Sequence, residues 1–271
     1  ERDDNEFLSE TPRTVDSALS ADMERQESQR RARRDSRLVA RESLPIFQAR
    51  EALLAASREA QTILVSGDTG SGKTTQLPQY LLEDMCDRGC GSEAFIVVTQ
   101  PRRIAAFSVA ERVAYERSES LGEMVGFQVR LRSRFGPKTR VLYCTTGILL
   151  RKLQNPAFLG RVSHVVLDEV HERAVDTDFL MTLLKQQLPA HPKVRLVLMS
   201  ATAQEDVFSQ YFACPVFSVS GRMFPVELHY LPKVHQLIAS AQLGSSGSGS
   251  GGSGNSSGSG SSSGRGRSAG R

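Results

Sequence analysis

Residues 67–74, which read Gly-Asp-Thr-Gly-Ser-Gly-Lys-Thr, constrain this chain more than any other stretch. They fill the pattern G-x-x-x-x-G-K-[ST] at every fixed position. An apolar run at 62–65 precedes them, and 75–82 can continue as a helix with Pro78 in its first turns. In that context the glycines let backbone N–H groups converge on phosphate oxygens, and the helix N-terminus adds positive dipole. The stretch therefore predicts a buried strand, a phosphate-binding loop and a helix.

We expect this loop to bind the phosphates of a nucleoside triphosphate. Lys73 can reach the β- and γ-phosphates, and the Thr74 hydroxyl can ligate Mg²⁺. The residues predicted to contact the nucleotide here are Gly67, Asp68, Thr69, Gly70, Ser71, Gly72, Lys73, Thr74 and Thr75. The alternative is a glycine-rich turn that binds nothing, but packing gives no reason for a Lys-Thr pair to follow the glycines.

The two ends of the chain differ in composition from its middle. Residues 1–43 hold 9 Arg and 11 Asp plus Glu, and predict a charged extension that is disordered or forms a solvated helix, with 21–42 as its helical part. Residues 244–271 hold 11 Gly and 12 Ser, and predict a flexible low-complexity tail or linker. The remaining range, 44–243, suits a single α/β domain.

Apolar runs within that range predict further strands, which alternate with segments of helical periodicity. The strands are expected at 94–99, 140–144, 162–167 and 194–199, and the helices at 104–116, 147–153 and 178–187. The core candidates of the helix at 104–116 are Ile104, Phe107, Val109 and Val113. Such alternation implies a mostly parallel sheet flanked by helices, with nucleotide sites at the carboxyl ends of its strands.

Cysteine usage and hydropathy exclude several classes of protein. The four cysteines, Cys86, Cys90, Cys144 and Cys214, show no paired metal spacing, so we expect free thiols without disulfide partners in a reducing compartment. No apolar run approaches the roughly 18 residues of a membrane span, and no signal peptide is visible. We therefore expect an intracellular protein of the nucleus, the cytoplasm or an organelle, with no membrane contact.

A second acidic motif completes the predicted nucleotide site. The apolar run at 165–167 ends in the adjacent carboxylates Asp168 and Glu169. In a phosphate-loop enzyme the first carboxylate holds Mg²⁺, directly or through water, and the second orients and deprotonates the water that attacks the γ-phosphorus. The alternative is a polar strand end that caps the following helix.

The string at 168–173, Asp-Glu-Val-His-Glu-Arg, resembles the DEAH-box class of superfamily 2 helicases. Further blocks in the family's order are 99–106, similar to motif Ia, 143–151, similar to motif Ib, and Ser200-Ala201-Thr202, similar to motif III. The blocks at 125–130 and 220–227 extend the resemblance over about 44–231. Thr146 and the block at 125–130 favour the RNA helicase A-like branch. The resemblance implies a RecA-like phosphate-loop domain that uses ATP and Mg²⁺.

The resemblance also implies roles for individual residues. His171 would act with the catalytic pair and couple it to a second RecA-like domain, and Ser200 and Thr202 would link hydrolysis to movement on RNA. Arg112 would stack on the nucleotide base. Sequence-independent contacts to the RNA backbone are implied for Arg102, Arg103, Arg130 and Thr145.

Physical chemistry supports the RNA contacts independently of the resemblance. Arg102 and Arg103 follow a predicted strand end, where their guanidinium groups can bind phosphates bidentately. A solvated charge pair is the alternative for these two residues. The net charge does not decide between these two interpretations, because the range 44–243 holds 22 basic and 19 acidic residues.

These observations predict the ATP-binding domain of an ATP-dependent RNA helicase. In superfamily 2 helicases a second RecA-like domain supplies arginine fingers, worth about 10³–10⁵ in rate in related systems. No such motif lies in this sequence, so we expect a fragment or truncated form that is nearly inactive alone. A non-catalytic RNA- or partner-binding regulator that keeps the fold is the alternative. A phosphate-loop kinase would not account for the strings at 168–171 and 200–202.

Overall fold

A computed structural model of the chain describes residues 16–33, 36–201, 205–221 and 227–245. The chain divides into two units, Glu1–Met223 and Phe224–Arg271. In its described part the second unit holds one helix, α9 (Leu231–Ser245), whose start places the Lys233 and Val234 N–H groups 2.9 and 3.1 Å from the Tyr230 carbonyl oxygen. The predicted tail at 244–271 lies outside the described residues from 246 onward. The remaining elements belong to the first unit.

One eight-stranded sheet forms the centre of the first unit. Its strands are β1 (Thr62–Gly67), β2 (Ile96–Gln100), β3 (Val125–Val129), β4 (Arg132–Arg134), β5 (Val141–Thr145), β6 (His164–Leu167), β7 (Arg195–Ser200) and β8 (Val216–Val219). Their order is β4-β3-β5-β2-β6-β7-β1-β8, and the β3–β4 pair is antiparallel while the other pairs are parallel. The prediction of a mostly parallel α/β sheet is confirmed, although β3, β4 and β8 were not among the predicted strands.

Helices cover both faces of this sheet. They are α1 (Ser17–Ala32), α2 (Ser36–Glu42), α3 (Arg50–Glu59), α4 (Lys73–Asp87), α5 (Arg103–Glu116), α6 (Thr146–Lys152), α7 (Val175–Gln187) and α8 (Glu205–Phe212). Successive strand residues alternate between the two faces. Ile63 and Val65 accordingly join a core cluster with α3, α4 and α5, and Leu64 joins a second cluster with α6, α7 and α8. Burial on both faces explains the continuous apolar runs.

Three of the four core candidates of the helix predicted at 104–116 face the core, with Phe107 and Val109 partly buried against it. Ile104 is 80% exposed, whereas Val113 is fully buried. The buried positions of α5 include Ala106, Ala110 and Ala114, which lie on one stripe because they are four residues apart. Small side chains let the helix lie close to the sheet, so the prediction of Ile104 as a core residue was wrong.

The described part of the charged extension packs onto the rest of the first unit. Glu27 of α1 and Arg117 are each 3% exposed, and the Arg117 Nη2 atom lies 3.1 Å from the Glu27 carboxylate. Burial alone would raise the pKa of Glu27, but Arg117 and Arg30 outweigh it and hold that pKa at about 2. Arg41 of α2 pairs with Glu83 of α4 at 2.8 Å. Mutual pairing of opposite charges therefore replaces the solvation that the composition predicted.

The remaining global features concern thiols, membranes and metals. All four cysteines are free, and burial raises the pKa of the Cys86 and Cys144 thiols to about 12. In the described ranges, no helix is long and apolar enough to cross a membrane. The same ranges contain no group of three or more His, Cys, Asp or Glu side chains that could hold a metal ion.

Candidate active site

The loop between β1 and α4 has the backbone that phosphate binding requires. Gly72 precedes α4 with φ 96°, a left-handed conformation that favours glycine, and an added Cβ would lie 3.1 Å from the Ile46 side chain. A Cβ at Gly67 would lie 2.5 Å from the Val219 carbonyl oxygen. Glycine is therefore required at both ends of the loop. The first N–H groups of α4 face it, as in anion sites at helix N-termini.

Lys73 lies inside the loop that it follows. Its Nζ donates to the carbonyl oxygens of Gly67 at 2.5 Å and of Asp68 at 3.0 Å. Burial lowers the pKa of Lys73, and nearby carboxylates including Asp168 oppose that effect. The ammonium group therefore lies in the interior of the loop, bound to the loop's own carbonyl oxygens.

Asp168 joins the loop to the end of β6. The Thr74 hydroxyl donates to Asp168 Oδ2 at 2.6 Å, Gln100 Nε2 donates to the same oxygen at 2.5 Å, and the Glu169 N–H donates to Oδ1 at 2.9 Å. Burial, and secondarily the neighbouring Glu169 charge, raises the pKa of Asp168 to about 6, against the hydrogen bonds from Thr74 and Gln100. A hydroxyl and a carboxylate in contact are the oxygen donors that Mg²⁺ prefers, so these residues fit that ion.

Tyr143 and Pro78 fix the first turns of α4, which carry Lys73 and Thr74. A helix would bond the Thr74 carbonyl to the N–H of residue 78, but proline has no N–H. The buried Tyr143 hydroxyl on β5 donates to that carbonyl at 3.0 Å instead. Tyr143 was not predicted as a site residue, because its partner is set by sheet order rather than by a motif.

His171 connects the end of β6 to the end of β7. Its Nδ1 accepts the Ala201 N–H at 3.1 Å, which places the ring proton on Nε2. Glu169 Oε2 lies 3.4 Å from the same Nδ1, so this approach is a contact rather than a hydrogen bond. Glu169 itself adopts a left-handed backbone, φ 55° and ψ 38°, which turns the chain sharply after the strand. The segments 168–171 and 200–201 are therefore in direct contact.

The other predicted nucleotide and coupling residues occupy distinct places. Asp68 Oδ2 accepts the Gly221 N–H at 3.2 Å, which ties the loop to the segment after β8. Ser200 is buried and donates to the Ala201 carbonyl at 2.6 Å. Arg112 lies on the exposed side of α5, with its Nε 2.7 Å from Glu116 Oε1. Thr202 lies outside the described residues.

A basic groove of about 940 Å³ lies at the carboxyl ends of β2, β3 and β5. It brings together three of the four residues predicted to contact RNA, Arg103, Arg130 and Thr145. Arg103 Nη2 donates to the Arg130 carbonyl at 2.8 Å. The fourth, Arg102, is not among the lining residues and pairs with Glu172 at 3.1 Å.

Sequence reasoning missed two cations of the same groove, Arg151 and Lys152 of α6. Arg151 closes the block at 143–151, but its charge received no role. The side chains that line the groove include four cations and one acid, Asp176, so the formal charge of the groove is +3. An anionic polymer would be attracted to it.

Comparison with known proteins decides between the classes of nucleotide-binding protein that share such a loop. The sequence profile of the DEAD/DEAH box helicases matches residues 47–209. The chain belongs to the DEAD/DEAH box helicase family. The match begins before α3 and ends within α8, and it includes the loop, Asp168, Glu169 and the groove-lining cations. The resemblance drawn from the motifs is therefore confirmed.

Three individual relatives of the chain are ATP-dependent RNA helicases. It is 50% identical over 192 residues to the DExH-box ATP-dependent RNA helicase DExH3 of Arabidopsis thaliana, covering 70% of this chain and 16% of that protein. Its identity to the ATP-dependent RNA helicase DHX30 of Homo sapiens is 51% over 195 residues, covering 70% of this chain and 16% of that protein. For DHX29 of Mus musculus it is 46% over 204 residues, covering 73% and 15%. The chain thus spans about a sixth of the length of these helicases.

Proposed function

We propose that this chain is the first RecA-like domain of an ATP-driven RNA helicase and couples ATP hydrolysis to movement along RNA. The observation that carries the proposal is the contact between Thr74 and Asp168 at 2.6 Å, at the sheet edge where the basic groove also lies. One edge then presents a triphosphate site and a surface for an anionic polymer. This arrangement suits an ATPase that responds to RNA.

Each group of the nucleotide site has a distinct task in hydrolysis. The N–H groups of the loop and the Lys73 ammonium bind the phosphate oxygens. Thr74 and Asp168 would hold Mg²⁺, which would neutralise charge on the phosphates when bound. Glu169 orients a water molecule and takes its proton as the water oxygen attacks the γ-phosphorus. The bond from that phosphorus to the bridging oxygen then breaks, releasing ADP and phosphate.

The groove supplies the second half of the proposed function. Arginine guanidinium groups bind phosphates bidentately, and such contacts give affinity without reading bases. Arg103 and Arg130 are joined through a backbone carbonyl and lie beside Thr145, so they can follow successive phosphates of one strand. Arg151 and Lys152 would extend that path. RNA would therefore bind here regardless of sequence.

The hydrogen bond from the Ala201 N–H to His171 supports a link between the nucleotide site and the end of β7. Because His171 accepts a hydrogen bond from the Ala201 N–H, a shift of Glu169 and His171 during hydrolysis would displace the segment that starts at Ser200. A second RecA-like domain, supplied by a longer protein, would contribute arginine fingers and the other wall of the RNA groove. We propose that the present chain alone binds nucleotide weakly, turns it over very slowly and unwinds nothing.

Steady-state ATPase assays with and without single-stranded RNA test this proposal. The chain alone is expected to hydrolyse ATP slowly, and Glu169→Gln is expected to lower even that rate at least about 100-fold, the usual contribution of a general base. Lys73→Ala is expected to abolish nucleotide binding. RNA-stimulated turnover or unwinding by the monomeric chain would contradict the need for a second domain.

A parallel pull-down addresses the regulatory alternative. RNA or partner capture that is unchanged in Lys73→Ala and Glu169→Gln, together with no detectable nucleotide binding by the unmodified chain, would favour a non-catalytic regulator. Nucleotide-dependent capture would support the motor.

A further inference from the structure

A buried carboxylate lies beside the arginine that is expected to stack on the nucleotide base. We propose that Glu116 is a positioning residue that holds Arg112 in place for the adenine. This inference rests on the proposed function, because it requires a nucleotide in the loop before α4. It adds a residue and a chain of hydrogen bonds that the motifs do not contain.

Glu116 is built into the junction of α4 and α5. Its side chain is 4% exposed, whereas the Arg112 side chain one turn earlier is 60% exposed. Oε1 accepts from Arg112 Nε at 2.7 Å, while Oε2 accepts from Gln76 Nε2 at 2.8 Å and from Gln79 Nε2 at 2.9 Å. Both carboxylate oxygens are therefore committed. The carboxylate cannot rotate without breaking contacts to another helix.

This geometry determines what Arg112 can do. A long exposed arginine samples many rotamers, and a hydrogen bond at Nε removes much of that freedom. The bond lies in the guanidinium plane, so this contact does not cover the face that stacks on an aromatic base. Glu116 thus restrains the side chain while leaving its recognition surface accessible from this side.

The same hydrogen bonds fix the position of Arg112 relative to the phosphate loop. Gln76 lies three residues after Lys73 in α4, and its Nε2 also donates to Thr75 Oγ1 at 2.9 Å. Glu116 therefore fixes Arg112 relative to the same helix whose start binds the phosphates. The ribose limits the distance between a base and its triphosphate, so a common frame for Arg112 and the phosphate loop suits the recognition of ATP.

The N-terminal segment supports the same network. Arg41 of α2 is 3% exposed, and its Nε donates to Gln76 Oε1 at 2.7 Å. Its Nη2 also pairs with Glu83 of α4. The amide of Gln76 is thus oriented, with its nitrogen toward Glu116. The hydrogen bonds run from Arg41 through Gln76 and Glu116 to Arg112.

Calorimetric titration of two ligands tests the proposal. Mg²⁺–ATP has a base and Mg²⁺–tripolyphosphate has none, so a residue that acts through Arg112 affects the first ligand alone. Glu116→Ala is expected to weaken ATP binding about threefold to tenfold, the size of one cation–π contact, and to leave tripolyphosphate binding within about twofold. Glu111→Ala, which removes an exposed acid from the same helix, is the matched control and should change neither.

Further variants make the test decisive. In the Arg112→Ala background, Glu116→Ala should cause no additional loss of ATP affinity, because its target is gone. Glu116→Gln keeps the side-chain volume and should show the same selective loss if Glu116→Ala does not fold. Equal losses for both ligands, or additive losses in the double variant, would overturn the positioning role. If Lys73→Ala changes neither ligand's affinity, the proposed nucleotide site itself fails, which is a separate result.

Discussion

The hydrogen bond from Tyr143 to the Thr74 carbonyl makes a prediction about the stability of the phosphate-loop helix. Tyr143→Phe removes one hydroxyl from a fully buried side chain and leaves the ring in place. The Thr74 carbonyl then loses its donor, because Pro78 cannot supply the N–H that an ordinary helix would provide. We expect the variant to be less stable for this single reason.

The magnitude follows from the environment of the carbonyl. This hydrogen bond is partly buried, so leaving its acceptor unsatisfied should lower the free energy of unfolding by about 1 kcal/mol, the low end of the range for a buried group. For a domain of this size, 1 kcal/mol lowers the midpoint of thermal unfolding by about 2–4 °C. The effect should depend on Pro78, because Pro78→Ala restores a backbone donor to the same carbonyl.

A double-mutant cycle measured by urea denaturation checks this reasoning. Tyr143→Phe should cost about 1 kcal/mol less in the Pro78→Ala background than in the unmodified chain. An equal cost in both backgrounds would refute the idea that the tyrosine replaces the missing helix hydrogen bond. The destabilisation would then come from some other property of the hydroxyl.

Three further predictions concern RNA, acid stability and the metal. Arg103→Ala and Arg130→Ala should each weaken single-stranded RNA binding and reduce the slope of log affinity against log salt by about 0.7, measured by fluorescence anisotropy, while Arg102→Ala should have a smaller effect. Because the pKa of Glu27 is lowered to about 2 in the folded chain, its ionised carboxylate stabilises the fold above pH 4.5, and this stabilisation is lost as the pH falls toward 2. In denaturation curves, Glu27→Gln should remove up to about 3 kcal/mol of this pH dependence of the free energy of unfolding. Because burial raises the pKa of Asp168 to about 6, protons should compete with Mg²⁺ below that pH, and calorimetric Mg²⁺–ATP affinity should fall there, whereas Asp168→Asn should bind weakly at every pH.

The parallel core of the fold was predictable because its strands are buried on both faces. The apolar runs that became β1, β2, β5, β6 and β7 carry the signal of burial in sequence alone. The hairpin of β3 and β4 has no such signal. Its turn places Leu131 at φ 68°. Glycine or asparagine usually occupies this conformation and makes the turn recognisable in sequence, whereas leucine does not. The edge strand β8 is four residues long and too short to show periodicity.

The site also contains residues that the sequence predicts and residues that it does not. Asp168 and Glu169 follow β6 directly, and Lys73 follows β1 after the phosphate loop. The rule that ligands bind at the carboxyl ends of a parallel sheet therefore predicts that these residues lie close together. The contacts of Gln100 and Tyr143 depend on strand order instead. In the sheet β2 lies between β5 and β6, and this order cannot be read from the sequence. Their hydrogen bonds to Asp168 and Thr74 became visible only when the neighbours of each strand were known.

The charged N-terminal segment shows why composition alone misleads about burial. An excess of charge predicts solvation, because isolated ions are costly to bury. Here Glu27 meets Arg117 and Arg41 meets Glu83, so charges from the extension are neutralised by opposite charges on the domain. Compared with well-packed apolar side chains of similar volume, such pairs add little net stability, but removing one partner costs about 3–5 kcal/mol because the other charge stays buried. The pairs therefore select one docking position for α1 and α2 more than they strengthen it. That position is what brings Arg41 against Gln76, so the specificity of the charge pairing is also what connects the extension to the phosphate-loop helix.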